Sequence, residues 1–141
     1  MPQRIALFVA LLLGVWSSAT AVLVRANLAV QKVRLTDNGD NDGFADPNET
    51  VQVFVTLRNR SGVDRQGIVV QMASTDPTVA CIPTPLISFG SLLAGEVREA
   101  AVPLVVRMSN ATRLGTFQDL PVTFTFVVSG NDFETTTFPQ S

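Results

Sequence analysis

Apolar residues in this chain recur at every second position. Val51, Val53, Val55 and Leu57 alternate with Gln52, Phe54, Thr56 and Arg58, the pattern of a strand with one face buried and one in water. The same period marks Leu28–Leu35, with Val33 and Leu35 on one side, and Gly67–Ala73, with Ile68, Val70 and Met72 on one side. Val79–Ile82 and Leu86–Phe89 read as short strands, broken by Pro83-Thr84-Pro85 and closed by Gly90. From Glu99 to Met108 the residues Ala100, Val102, Leu104, Val106 and Met108 share a face, and Pro103 on the other face predicts an edge strand or a bulge. Ser109–Asp119 is polar and loop-like. Val122, Phe124, Phe126 and Val128 then alternate with Thr123 and Thr125, and Ser129-Gly130-Asn131-Asp132 is a turn into a return strand, Phe133–Phe138.

Beyond the N-terminal segment no window sustains an i, i+3, i+4 apolar pattern. About seven short antiparallel strands with frequent turns predict an all-β, immunoglobulin-like β-sandwich. The antibody hallmarks are missing, because Cys81 is the one cysteine, there is no tyrosine, and the single Trp lies at position 16. Strand count alone leaves a jelly roll as the alternative architecture.

The N-terminal segment has a different character. Arg4 precedes an apolar run from Ile5 to Trp16, followed by Ser17-Ser18-Ala19-Thr20-Ala21. This is the charged, apolar and small-residue order of a secretory signal peptide, with cleavage expected after Ala21 and a domain over residues 22–141. An uncleaved anchor is the competing reading, since no charge interrupts Ile5–Val24, about 20 residues and long enough to span a bilayer. Either way the domain is expected outside the cytoplasm: secreted, at the cell surface or in the periplasm.

The most informative stretch lies between the first two predicted strands. In Asn38-Gly39-Asp40-Asn41-Asp42-Gly43-Phe44-Ala45-Asp46-Pro47-Asn48-Glu49, side-chain oxygens fall at positions 1, 3, 5, 9 and 12, with glycine at 6. That is the layout of an EF-hand-type calcium loop. Asn38, Asp40 and Asp42 would offer side-chain oxygens, Phe44 its carbonyl, Asp46 a carboxylate acting through water, and Glu49 a bidentate carboxylate. Asn38 stands where the standard loop has Asp, and Asp37 is adjacent to compensate. Asn, Asp and Gly between strands also make a solvated turn without metal. The coincidence of Gly43, Asp46 and Glu49 favours the calcium ion.

Asp40–Val51, followed by Val55-Thr56-Leu57-Arg58-Asn59, resembles the opening of immunoglobulin-like modules of bacterial surface and secreted proteins, similar to the cell-adhesion-related CARDB-type group. The pattern of that group is D-G-x-x-D-P-G-E-T-V, and Asn48 stands here where it has Gly. Ser74-Thr75-Asp76-Pro77 and Phe89–Glu96 echo it further. The resemblance implies a sandwich with an adhesive, spacer or accessory role, and no single activity.

Composition narrows the function classes. With no histidine, Ser-His-Asp and Cys-His catalysis and His-ligated zinc are excluded. Glu96 and Glu99 are too oddly spaced to share a strand face as a carboxylate pair, and no phosphate loop is present, so an enzyme is not expected. The ten basic residues form no run, and cleavage after Ala21 would leave nine against twelve acidic ones; no nucleic-acid partner is expected. Cys81, between Ala80 and Ile82, reads as a small buried hydrophobe. Three N-x-S/T sequons, at Asn48, Asn59 and Asn110, read as chance in a chain rich in these residues. The expected function is a non-catalytic structural or adhesion module stabilised by calcium, with a protein or glycan surface as partner and a membrane only if the N-terminal segment is uncleaved. The alternatives are an accessory domain beside a larger exported hydrolase and a surface filament subunit self-associating through an edge strand.

Overall fold

The computed structural model describes residues 28–39, 45–110, 122–131 and 133–140. The expected signal peptide, residues 1–21, lies outside them, as do Asp40, Asp42 and Phe44 of the acidic loop. Among the described residues every regular element is a strand, and no helix is long and apolar enough to cross a membrane. The strands are β1 (Leu28–Asp37), β2 (Thr50–Asn59), β3 (Arg65–Ala73), β4 (Val79–Thr84), β5 (Leu86–Leu92), β6 (Val97–Glu99), β7 (Leu104–Met108), β8 (Phe124–Gly130) and β9 (Phe133–Gln140). They form two antiparallel sheets, a β-sandwich. One has the order β1-β2-β7-β4, with β6 also pairing β2; the other has the order β5-β3-β8-β9.

The alternation seen in the sequence builds the core. Val51, Val53, Val55 and Leu57 of β2 and Leu104, Val106 and Met108 of β7 are buried against Ile68, Val70 and Met72 of β3 and Phe124, Phe126 and Val128 of β8. Phe126 is the largest fully buried side chain. Burying such a side chain contributes about 2–3 kcal/mol each.

Two strands are interrupted rather than ended. Pro85 alone separates β4 from β5, and at that residue the chain leaves one sheet and enters the other. Pro85 cannot donate, but its carbonyl accepts from the Met72 N–H at 2.7 Å, which fastens the crossing to β3. β6 and β7 lie along the same edge of β2. Thr56 pairs with Glu99 and Val53 with Leu104, so three steps along β2 match five on the other strand. Ala100 stays buried, its N–H donating to Val55 O at 2.9 Å, and the surplus bows outward at residues 101–103. Val102 is therefore 58% exposed, contrary to the inward position that alternation assigns it. Pro103 lies in this bowed segment, before β7, which is itself flanked by both β2 and β4.

Gly90 does not close β5, which runs on to Leu92. Gly90 takes a left-handed φ of 69° within the strand, where the register against β3 shifts. Cys81 is exposed, not buried. It pairs with Arg107, an outward-facing residue of β7, and register shifts on either side of it break the expected alternation of β4. The expected return strand forms β9 and pairs with β8 of the same chain.

The sandwich has two poles. At one, Leu28 begins β1 opposite Asn59, near the turns that join β2 to β3 and β5 to β6. At the other, β1 ends with Asp37 opposite Val51. The described ends of the acidic loop, the β3–β4 corner and the described ends of the β7–β8 connection lie there.

Candidate metal centre

The acidic loop is the connection between two paired strands, so its ends are neighbours by construction. Asp37 and Val51 form the last rung of the β1–β2 ladder. Beyond it, Asn38 Oδ1 accepts the Thr50 N–H at 2.8 Å and Asp37 Oδ1 accepts the Gly39 N–H at 2.9 Å. Glu49 Oε2 accepts the Asp46 N–H at 2.9 Å, and the Glu49 N–H donates to the Asp46 carbonyl at 3.3 Å. A Cβ at Gly39 would collide with Glu49 Oε1 and would also touch Asp37 Oδ1. Glycine at 39 therefore lets the Asp37 and Glu49 carboxylates flank one Cα.

The exit is a tight turn. Asp46-Pro47-Asn48-Glu49 places proline at the first central position and Asn48 at the second, with φ 65°. This is the type II pattern, which asks for Gly or Asn at that second position. Asn48 meets that conformational demand.

The turn is tied to the rest of the pole. The Asn48 N–H donates to Ser109 O at 3.1 Å, the Met108 N–H to Glu49 O at 2.8 Å, and Asn48 Nδ2 to Asn110 Oδ1 at 2.9 Å. The Ser109 N–H in turn donates to Thr78 O at 2.7 Å. Asp76 completes the chain of contacts. Its Oδ1 accepts from Thr78 Oγ1 at 2.6 Å and from the Thr78 N–H at 2.9 Å, and its Oδ2 from the Thr123 N–H at 3.2 Å. The two Thr78 hydrogen bonds hold the Asp76 carboxyl below the usual carboxylate range, against an opposing effect of burial and with a lesser contribution from the Thr123 N–H. The Asp76-x-Thr78 spacing of an Asx turn was the available sequence signal for this residue.

Of the six proposed ligands, the structure places three. Asn38 and Glu49 lie at the base of the loop, Asn38 bonded to the Thr50 N–H and Glu49 to the Asp46 N–H. Asp40, Asp42 and Phe44 lie outside the described residues. Among the described residues no group of three or more His, Cys, Asp or Glu side chains is gathered to hold a metal. The described donors are hard oxygens, which suit calcium. Two of them already close the loop by accepting backbone N–H groups. Glu49 Oε1, beside Gly39, is the carboxylate oxygen set towards the start of the loop.

The opposite pole is also polar inside. Asn59 is fully buried and its Nδ2 donates to the carbonyls of Val63, Leu92 and Leu93 at 2.9–3.0 Å. Its Oδ1 accepts from the Ser61 N–H and from Ser61 Oγ, and Arg65 Nε donates to Ser61 Oγ at 3.2 Å. The Asn59 sequon is therefore closed to modification in the folded domain, since its amide nitrogen is sequestered.

Neither Glu96 nor Glu99 belongs to a carboxylate pair. Glu96 faces Arg98 at 3.4 Å, and the bidentate hydrogen bonds from Arg34 hold the Glu99 carboxyl low. Comparison of the chain with protein-family models, with characterised proteins and with solved structures gives no match.

Proposed function

We propose that the chain is an exported, non-catalytic structural or adhesion module, built on an immunoglobulin-like sandwich and stapled by calcium at residues 38–49. Strand order supports the immunoglobulin-like reading. Counted as continuous runs, with β4–β5 as one and β6–β7 as another, the nine segments make seven. In chain order, the first, second, fifth and fourth runs form one sheet. The third, sixth and seventh form the other, with the upper half of the fourth beside the third. That is the ABED and CFG arrangement of the constant-type domain.

The observation that carries the calcium reading is the closure at the loop base. Glu49 is anchored to Asp46 and set against Gly39, so a carboxylate at position 12 faces the start of its own loop. Bound calcium would link the loop entry, at the end of β1, to a turn already hydrogen-bonded to β7. Extracellular modules of this kind bind calcium at about 10⁻⁴–10⁻³ M. At millimolar calcium, a dissociation constant of about 0.1 mM adds roughly 1.4 kcal/mol to stability. That corresponds to about 5 °C in midpoint for a domain of this size. Thermal unfolding in calcium and in chelator tests it; coincident midpoints would refute the staple.

A further inference from the structure

The basic residues are scattered in the sequence, but the sheet register collects four of them. Lys32 and Arg34 on β1 stand opposite Thr56 and Phe54, and Arg58 is the next outward position of β2. Arg107 on β7 stands opposite Thr50. On β2 and β7 these positions alternate with fully buried ones, and Arg34 reaches both the Phe54 ring and Glu99. All four therefore project from the outer face of the β1-β2-β7-β4 sheet. Among the described residues Glu99 is the one carboxylate on that face. Asp46 and Glu49 lie at the loop pole, and Asp64 and Glu96 at the other. The outer face of the second sheet presents Gln66, Val69, Gln71, Thr125 and Val127, without charge among the described residues. A chain of net charge −2 thus carries one cationic sheet face.

We propose that this face binds an extended anionic polysaccharide. The sign of the charge selects an anionic partner, and the shape of the patch selects an extended one. From the level of Thr50, opposite Arg107, to Arg58 the strand advances eight residues, about 26 Å at roughly 3.3 Å per residue. A compact anionic loop would engage part of that length; a linear polymer lying along the strands engages all of it. Single-stranded nucleic acid fits less well, because its binders stack bases on open aromatic rings. Phe54, at the centre of the face, is covered by the Arg34 guanidinium at 4.1 Å. The inference names a partner for the adhesion reading and rests on it, but it needs no calcium.

The test is binding of the full chain, in chelator, to immobilised polygalacturonate and to a sulfated glycan, with neutral dextran and poly-dT as comparisons. Saturable binding to the acidic glycans is expected at about 50 mM salt and its loss at about 500 mM. The double variant Lys32→Glu, Arg58→Glu is expected to bind at least roughly tenfold more weakly. Gln71→Glu, on the other sheet, is expected to bind like the parent. Matching thermal midpoints show that the variants fold. Equal binding to dextran, parental binding by the double variant, or tighter binding to poly-dT than to either acidic glycan overturns the proposal. The calcium-dependent midpoint is read separately on the same samples, so failure of one leaves the other intact.

Discussion

The carboxylate of Glu49 accepts the backbone N–H of Asp46 through Oε2 while Oε1 rests against Gly39. One side chain thus holds both ends of a twelve-residue connection. Gly39→Ala should displace it, because the added methyl occupies the place of Oε1. The expected result is a loss of about 1 kcal/mol and a reduced midpoint shift on adding calcium. Glu49→Ala and Asp42→Ala should abolish that shift. Asp64→Ala, which removes the acceptor for the Ala94 N–H at the far pole, should leave it. Differential scanning calorimetry in calcium and in chelator reads all four.

Asn48 holds a left-handed φ. Asn48→Gly should be neutral or slightly stabilising, since glycine adopts this conformation without strain. Asn48→Val should cost about 1–2 kcal/mol, because a β-branched residue is strained there. Urea midpoints of the two variants decide the sign.

Asn59 satisfies three carbonyls from a fully buried position. Asn59→Ala strands those acceptors and should cost about 2–4 kcal/mol. Chemical denaturation should show a lower midpoint with an unchanged slope.

Asp76 sets an acid limit. Its folded pKa lies below the unfolded value of 3.8. The stability it contributes is full above the unfolded value and is lost as pH falls through the folded one. Asp76→Asn should flatten the decline of the thermal midpoint below about pH 4 while leaving the neutral-pH slope unchanged.

Alternation in β2 was legible residue by residue, because a strand with paired neighbours on both sides must bury one complete face. It failed at Val102, where the two surplus residues opposite β2 carry the chain away from the core. Val102→Asp should therefore change stability by less than about 0.5 kcal/mol. Leu104→Ala, two residues on and fully buried, should cost about 2–4 kcal/mol. Urea denaturation compares them. The return of Glu49 to the start of its loop, beside Gly39, was legible too, since β1 and β2 pair as a hairpin. The Asn59 network was not, because its acceptors come from turns more than thirty residues away. The cationic face was equally hidden: its members sit on three strands and meet through register alone.

The course of the chain has a mechanical consequence. It enters β1 at the pole of Asn59 and leaves β9 at the pole of the acidic loop, where Gln140 pairs with Phe124. Tension applied through the two ends would run parallel to the strands. The β1–β2 ladder, paired from Leu28 to Asp37, would be loaded in shear, its hydrogen bonds sharing the force together instead of parting one after another like a zip.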